Sequence, residues 1–399
     1  MSLADIVFRL RNWNAAHPRK PRVLMIDDWF PDPTIGAGAP RALQLLRVLS
    51  RSQFSVTHFS TLEAPNAKHF LLKSMPGVKL VKTSGNLSPL ADYLRRNCNA
   101  FDAILISRPH NLEAFNNAVR DNPSFIGGKL TVYDAEAVFS QRDILRSAVL
   151  NEPMSSKQIQ EAIQHELALA DGFDIVLTVN EANATLFRSA GHSDVRVLRH
   201  AVPPCKGERP HSERRDILFV GPTYSDETPN TDSVIWFVDS VLPIIRTQMQ
   251  RSIALALAGK SNAAKVAARA DGRIDQRGPL SDLSQVYHAA RVFVAPTRFA
   301  AGIPLKVYEA AAHGVPCVIT SLLASQLDWQ HEREALVADT PQAFAQQTMR
   351  LYDNAELWER VRTAAFDRTL RDCSADHFEQ TVATIFSDSA IQELRRKSW

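Results

Sequence analysis

The chain has 399 residues, of which 45% are apolar and 22% charged, and its formal net charge is +3. This length exceeds what one hydrophobic core usually organises, so two domains are expected in an ordinary soluble globular protein. The small net charge argues against a nucleic-acid-binding protein, because such proteins usually concentrate basic residues on one face.

Residues 1–22 are more basic than the rest of the chain and interleave their charges with apolar side chains. Their basic residues are Arg9, Arg11, Arg19, Lys20 and Arg22, and their single acidic residue is Asp5. This pattern predicts a short amphipathic helix on an anionic membrane surface, or alternatively a solvated helix packed on its own domain. No run reaches the roughly 20 apolar residues of a membrane span, and no signal peptide is recognised.

The four cysteines lie far apart in the sequence. Cys98, Cys205, Cys317 and Cys373 show no paired spacing. They predict neither a disulfide framework nor a zinc site, and no metal is expected. We therefore expect a reduced, cytoplasmic protein, with peripheral attachment to the inner face of the membrane as a further hypothesis.

Short apolar runs separated by helical segments fill the first half of the chain. The predicted strands are Arg22–Asp27, Phe54–Ser60, Phe101–Ser107, Lys129–Ala135 and Phe173–Val179. The segment APRALQLLRVLSR, after the first strand, has helical spacing. This alternation is typical of a parallel, doubly wound sheet.

The second half repeats the pattern after a polar stretch, CKGERPHSERR, which is the best candidate for a linker. Its predicted strands are Asp216–Gly221, Ile253–Gly259, Arg291–Pro296 and Pro316–Thr320. We predict two Rossmann-like domains, 1–205 and 206–375, followed by a C-terminal helix, 376–399, that packs back toward the first domain. In open parallel sheets ligands lie beyond the carboxyl ends of the strands.

The loop after the first strand reads DDWFPDPTIGAGAPRAL. Gly36 and Gly38 would allow the backbone to approach a ligand, and Arg41 would meet an anion at a helix start. The third glycine of the dinucleotide fingerprint is missing, which weakens the case for an oxidoreductase or epimerase. A plain flexible loop is the alternative.

The stretch RFAAGIPLKVYEAAAHGVP, Arg298–Pro316, combines a glycine turn with a helix start. Pro304 is predicted at the first helical position and Gly314 just past the end. The amides of Gly302 and Ile303 suit a phosphate. Lys306 and Glu309, three residues apart, share a helix face, where a carboxylate can accept hydrogen bonds from sugar hydroxyls; a surface ion pair is the alternative.

Longer stretches resemble, in order, the family 4 retaining glycosyltransferases of bacterial surface-polysaccharide type. The clearest is RFAAGIPLKVYEAAAHGVPCVIT followed by LVADTPQAFAQQTMRLYDN; others are FVGPTYSDETPNTDSVIWFVDSVLPIIR, DQRGPLSDLSQVYHAARVFVAP, DIVLTVNEANATLF, RVLMIDDWFPDP and YDAEAVFSQRD. The resemblance spans nearly the whole chain. It implies the GT-B fold, in which two α/β Rossmann-like domains with doubly wound parallel sheets face a cleft, and sugar transfer from a UDP- or GDP-linked donor without a metal.

Within this resemblance, Glu309 matches the second of two family glutamates seven residues apart, which typically holds the donor ribose. Ala301 occupies the place of the first, which usually contacts the transferred sugar. The family's Arg and Lys after the first strand of the second domain are missing, because Gly221 is followed by PTYSDETPN. Gly278 matches the turn beside the nucleobase. The donor-binding residues expected are Gly221, Lys260, Gly278, Arg298, Gly302, Ile303, Lys306 and Glu309.

Three side chains after first-domain strands are candidates for the catalytic base toward the acceptor hydroxyl. Asp134 and Glu136 lie in YDAEAVFSQRD and His110 in SRPHN. The carboxylates are preferred over His110 for proton abstraction. The expected reaction transfers a sugar to a glycan or lipid-linked acceptor; the alternatives are a non-catalytic nucleotide-sugar or glycan-binding scaffold and a sugar-nucleotide epimerase.

Overall fold

The computed structural model describes residues 20–31, 38–51, 54–62, 75, 77–81, 90–97, 99–205, 207 and 209–387. Gly36 and all but the last three residues of the predicted amphipathic helix lie outside these ranges. Among the described residues, no helix combines the length and apolarity needed to cross a bilayer.

Two parallel sheets form the framework. The seven-stranded sheet has the order β3-β2-β1-β4-β5-β6-β7 and the six-stranded sheet the order β10-β9-β8-β11-β12-β13. The first contains β1 (Arg22–Asp27), β2 (Ser55–Ser60), β3 (Val78–Leu80), β4 (Ala103–Ser107), β5 (Leu130–Glu136), β6 (Ile175–Thr178) and β7 (Val195–Val197). The second contains β8 (Asp216–Val220), β9 (Leu255–Ala258), β10 (Ile274–Gly278), β11 (Ala290–Ala295), β12 (Cys317–Ile319) and β13 (Leu336–Val337). The fold class expected from the sequence is therefore confirmed.

Helices connect the strands, as parallel pairing requires. Those before residue 200 are α1 (Gly38–Arg51), α2 (Leu90–Arg96), α3 (Pro109–Val119), α4 (Phe139–Val149), α5 (Ser156–Ala168) and α6 (Glu181–Ser189). Those after it are α7 (Pro229–Trp236), α8 (Leu242–Met249), α9 (Ala264–Ala267), α10 (Ser284–Ala289), α11 (Leu305–Ala312), α12 (Ser321–Leu327), α13 (Pro341–Asp353), α14 (Ala355–Asp372) and α15 (Ala375–Ile385). A π-helical turn, Phe237–Val241, joins α7 to α8.

The chain divides into two compact units. Of the described residues, unit 1 takes those within 20–30, 42–133 and 382–387, and unit 2 takes residue 31 and those within 38–41 and 134–381. In unit 1, the ring of Phe386 packs edge-on against Phe54, with 6.2 Å between centroids. The domain boundary at residues 205 and 206 stays a prediction.

The central strands were predicted from sequence because they are continuous apolar runs buried on both faces. In β8 every residue from Ile217 to Val220 is buried, and in β11 every residue from Val292 to Ala295 is buried. β3, β7, β10 and β13 were not predicted. They have two to five residues, and most of β10 is exposed, so its apolar pattern is weak.

The helix start at Pro304 is corrected by one residue. Pro304 is the N-cap, with ψ near 82°, and the helix begins at Leu305. Proline fixes φ but leaves ψ free, so it can precede a helix as well as open one. Gly314 adopts the left-handed conformation expected after the helix end, with φ 65°. The Val315 amide donates to the carbonyl of Ala310 and closes the turn.

The described residues of the polar stretch proposed as a linker belong to unit 2 and are held there by several contacts. Arg362 donates to the carbonyl of Gly207, and His211 Nε2 contacts the carbonyl of Tyr352. The guanidinium groups of Arg214 and Arg362 both lie over the indole ring of Trp358, at 5.3 and 5.1 Å from its centroid. Buried cation–π contacts of this kind hold a loop more firmly than its polar composition suggests.

Candidate functional site

A cavity of about 400 Å³ opens in unit 2 beside the ends of β8 and β11. In the six-stranded sheet the strand order reverses between these two strands. Such a switch point leaves a crevice between loops that turn to opposite faces of the sheet, and ligands bind there in open α/β folds. The cavity wall includes Gly221, Lys260, Ile303, Lys306 and Glu309, so the structure brings five of the predicted donor-binding residues together.

The floor of this cavity depends on a close approach of two strand ends. A Cβ added at Gly259 would lie 2.6 Å from the carbonyl oxygen of Gly221, a distance that side chains do not tolerate. Gly259 also has φ 137°. Only glycine fits this position. Because neither Gly221 nor Gly259 has a side chain, their backbone atoms face the cavity directly.

Lys306 is held over an aromatic ring by a neutral partner. Its ammonium group donates a hydrogen bond to Asn230 Oδ1 and lies 4.5 Å from the centroid of Phe219. Burial lowers the pKa of this ammonium to about 7, against a smaller opposing effect of the Glu309 charge. An anion entering the cavity would favour the protonated form.

Glu309 lies on the same face of α11. The hydroxyl of Tyr287 donates to Glu309 Oε2 at 3.4 Å. Burial raises the pKa of this carboxyl to about 7, although the hydrogen bond from Tyr287 and the charge of Lys306 favour ionisation. Hydroxyl donors in the cavity would stabilise its ionised form.

The Gly302 turn packs closely against the end of β5. Gly302 has φ 80°, and a Cβ there would lie 3.1 Å from that of Ala137. Its carbonyl accepts from Asn180 Nδ2 at 3.3 Å, and Ile303 follows it into the cavity wall. The turn therefore needs glycine for both its backbone conformation and its neighbour.

Of the remaining predicted residues, Arg298 and Gly278 do not line the cavity, whereas Lys260 does. Arg298 forms a two-pronged ion pair with Asp232, at 3.0 Å from Nε to Oδ2, so its charge is already compensated. Gly278 ends β10 with φ 68°, and its neighbour Pro279, not Gly278 itself, lines the cavity. Lys260 lies on the cavity wall directly after Gly259.

Arg41 and the candidate base Asp134 are partners of each other. Gly38 is the first residue of α1, so Arg41 lies within the helix and not in a loop. Its guanidinium is wholly buried and donates to both carboxylate oxygens of Asp134 at 2.8 and 2.7 Å, and to the carbonyl of Leu198. The catalytic role of Asp134 and the anion-binding role of Arg41 stay predictions.

Glu136 differs from Asp134 in its backbone. It is partly buried at the end of β5 and has φ 55°, a left-handed conformation that non-glycine residues adopt at an energetic cost. Such strained positions concentrate at functional sites. Glu136 therefore has the more distinctive geometry of the two carboxylates.

His110 belongs to a polar cluster in unit 1, at the reversal of the seven-stranded sheet between β1 and β4. Its Nε2 is hydrogen-bonded to Asp28, which also contacts Arg108 and accepts from Asn111 Nδ2 at 2.8 Å. Burial opposes ionisation of Asp28, but these hydrogen bonds and the Arg108 charge outweigh it and hold the pKa at about 2. The imidazole is 54% exposed, so solutes can reach it.

Sequence reasoning missed Asp28 and Asn230. Asp28 directly follows β1, and a carboxylate at that strand end is a signal that could have been used. For Asn230, the only available sequence signal was its position after the first strand of the second domain. Among the described residues, no group of three His, Cys, Asp or Glu side chains is placed to hold a metal ion.

Comparisons with known proteins agree with this architecture. Residues 214–354 match the family model described as glycosyl transferases group 1. No curated protein matches the sequence significantly.

Solved structures share the fold over most of the chain. HepE from Anabaena, in complex with UDP and glucose, is 17% identical, with a TM-score of 0.66 over 92% of this chain and 99% of its own. Sucrose-phosphate synthase from Thermosynechococcus elongatus is 14% identical, with a TM-score of 0.69 over 92% and 98%. A point mutant of TarM from S. aureus, in complex with fondaparinux, α-GlcNAc-glycerol and UDP, is 8% identical, with a TM-score of 0.66 over 92% of this chain and 100% of its own.

The two Rossmann-like sheets are thus those of the GT-B fold. Together with the family match over residues 214–354, this fold supports a glycosyltransferase.

Proposed function

We propose that the protein transfers a sugar from a nucleoside-diphosphate sugar to a glycan or lipid-linked acceptor. The observation that carries this proposal is the cavity at the β8–β11 switch point, where Lys306 and Glu309 meet on one face of α11. A cation suits the phosphates of a nucleoside diphosphate, and a carboxylate suits its ribose hydroxyls.

The donor is proposed to be UDP-linked, with a GDP-linked sugar as the second choice. HepE and TarM, which share the fold, were solved with UDP. In this assignment the backbone beyond Gly221 and Gly259 lies along the diphosphate, Lys306 binds it, and Glu309 accepts from the ribose.

In the proposed reaction the bond between the anomeric carbon and the donor phosphate oxygen breaks. The acceptor hydroxyl oxygen forms the new glycosidic bond and gives up its proton. The enzyme's main contribution is electrostatic, because Lys306 and the amides near Gly302 stabilise the diphosphate as its negative charge develops. Glu136, Asp134 and His110 are the proposed proton acceptors.

Several finer features remain part of the proposal. They are membership of family 4, retention of anomeric configuration, a role in polysaccharide assembly, independence of metals, and a cytoplasmic or peripheral inner-membrane location. The scaffold alternative rests on Ala301, which lines the cavity where the resembled family has a carboxylate.

A thermal-shift panel of nucleoside diphosphates and nucleotide-sugars tests the proposal. A ligand at 100 times its Kd stabilises the folded state by about 2.7 kcal/mol, and the best stabiliser identifies the donor. Lys306→Ala and Glu309→Ala are expected to remove the shift. Binding without turnover over a panel of acceptors would favour the scaffold, conversion of donor without acceptor would favour the epimerase, and no shift with any nucleotide would overturn the proposal.

A further inference from the structure

Two cations of unit 2 are hydrogen-bonded to residues on the same turn of α7, but one partner is a carboxylate and the other a neutral amide. Asp232, on α7, compensates the charge of Arg298. Asn230, two residues earlier, accepts from the ammonium of Lys306 with a neutral amide. Among the described residues, no carboxylate lies within ion-pair distance of Lys306.

The orientation of the Asn230 amide is fixed by a second hydrogen bond. Its Nδ2 donates to the carbonyl of Pro222 at 2.9 Å, so Oδ1 is the atom presented to Lys306. Both side chains line the cavity. The amide group is therefore set before any ligand arrives.

Gly221 makes room for this arrangement. A Cβ at Gly221 would lie 2.8 Å from Asn230 Nδ2 and 3.2 Å from its Cγ. The residues Gly221, Pro222, Asn230 and Lys306 thus form one connected wall of the cavity. The turn after β8, which lacks cations at its start, is tied to the lysine on α11 through one asparagine.

We propose that Asn230 is a positioning residue that orients Lys306 toward the donor diphosphate through a neutral hydrogen bond and adds no negative charge of its own beside the ammonium group. This inference rests on the proposed function. A carboxylate at position 230 would also accept from the ammonium, but it would cancel the ammonium charge and lose the hydrogen bond to the Pro222 carbonyl. An alanine would leave a partly buried ammonium without its acceptor, which disfavours the charged form.

The groups that face Lys306 determine how the test is read. Glu309 lies on the same helix, Tyr287 donates to Glu309, Phe219 lies under the ammonium, and Lys260 shares the cavity wall. Between pH 7 and 9 the terminal phosphate of a nucleoside diphosphate is already ionised, since its pKa is about 6. A change of affinity in this window therefore reports on the protein: Lys306, whose pKa burial lowers to about 7, loses its proton there, and Glu309, whose pKa burial raises to about 7, completes its ionisation.

The experiment is calorimetric titration with UDP, or GDP if the thermal-shift panel selects it, at pH 7, 8 and 9. The variants are Asn230→Ala, Asn230→Asp and, as a matched control on the exposed face of α3, Asn117→Ala. For the wild type and the control we expect affinity to fall toward pH 9. For Asn230→Ala we expect about tenfold weaker binding at pH 7, because the loss of a hydrogen bond to a charged group has an effect of that order. We also expect the affinity of this variant to begin falling at a lower pH than that of the wild type.

Asn230→Asp separates positioning from a merely structural role. This variant is isosteric with the wild type. Its nucleotide affinity should depend less on pH and should be about tenfold or more weaker at pH 7, because the new carboxylate cancels the charge of the Lys306 ammonium. Kd values for Asn230→Ala within twofold of the wild type at every pH, or the same pH profile for both variants, would overturn the inference alone. Failure of the wild type and of Asn117→Ala to bind either nucleotide would overturn the proposed function and this inference together.

Discussion

Arg41 and Asp134 form a doubly hydrogen-bonded ion pair that is wholly buried, although 93 residues separate them in the chain. Asp134→Ala would leave the guanidinium buried without its counter-ion. Breaking such a pair costs about 3–5 kcal/mol, so we expect a loss of that order in the free energy of unfolding, measured by urea denaturation. The double variant Arg41→Met/Asp134→Leu should recover most of it.

The same variants decide between structure and catalysis for Asp134. If Asp134 acts by packing, the double variant keeps nucleotide affinity and transfer rate within a few-fold of the wild type. Full stability with transfer lost would instead assign Asp134 to the reaction.

Glu309→Gln should change how nucleotide binding responds to acid. The raised pKa of about 7 means that the carboxyl takes up a proton as pH falls through neutrality and can no longer accept from two ribose hydroxyls. We expect the affinity of the wild type for UDP to fall from pH 7.5 to 5.5 in calorimetric titrations. Glu309→Gln should lose this fall, because what remains is the smaller fall caused by protonation of the phosphate, opposed by the protonation of Lys306. An identical acid limb in both proteins would contradict a role for Glu309 in binding.

The same group links stability to pH in the free protein. Its folded-state pKa is raised, so the folded state binds more protons than the unfolded state between about pH 4.5 and 7. The stabilising contribution is thus present below pH 4.5 and is lost as pH rises to 7. Glu309→Gln should remove this slope from the pH dependence of the unfolding free energy.

Gly302→Ala tests the turn that packs against the end of β5. Gly272 provides a matched control, because its φ of 85° is similar but an added Cβ meets nothing within 4 Å. Gly272→Ala should cost about 1 kcal/mol from backbone strain alone. Gly302→Ala should lower the free energy of unfolding by more than this, because its Cβ also displaces Ala137. It should also reduce the rate of sugar transfer, since Ala137 directly follows the candidate base Glu136. Equal losses in both variants, measured by thermal unfolding, would show that the contact with Ala137 is unimportant.

His110 and Asp28 are expected to affect turnover and not donor binding. His110→Ala and Asp28→Asn should lower kcat by about 10²-fold or more if the imidazole moves a proton, while the Kd for UDP stays within twofold. Glu113→Gln, on the exposed face of α3, serves as the control and should leave both quantities unchanged. Weaker nucleotide binding in His110→Ala would point to a role in the donor site instead.

The framework of the fold could be predicted from the sequence because its central strands are long enough and apolar enough to stand out. Residues Ile217–Val220 and Val292–Ala295 have no polar interruption. The peripheral strands could not, since β13 has two residues and β10 places polar side chains in solvent. Their existence depends on the neighbouring strand and not on local pattern.

For the candidate site, local spacing carried part of the prediction. Lys306 and Glu309 share a helix face because they are three residues apart, and both line the cavity. The compensation of Arg298 by Asp232 joins positions 66 residues apart, and Asn230 reaches Lys306 across 76. Periodicity contains no information about such pairs, so the cations available to a ligand could not be distinguished from those already neutralised.

The hydrogen bonds that hold Gly207 and residues 209–214 have a consequence for limited proteolysis. A protease needs several residues of extended, accessible backbone, and here the carbonyls of Gly207 and Arg209 are hydrogen-bonded to Arg362 and Arg214. Cleavage would require Trp358 and its two neighbouring guanidinium groups to separate first. Residues 209–214, which belong to the stretch whose composition most resembles a linker, should therefore survive digestion intact.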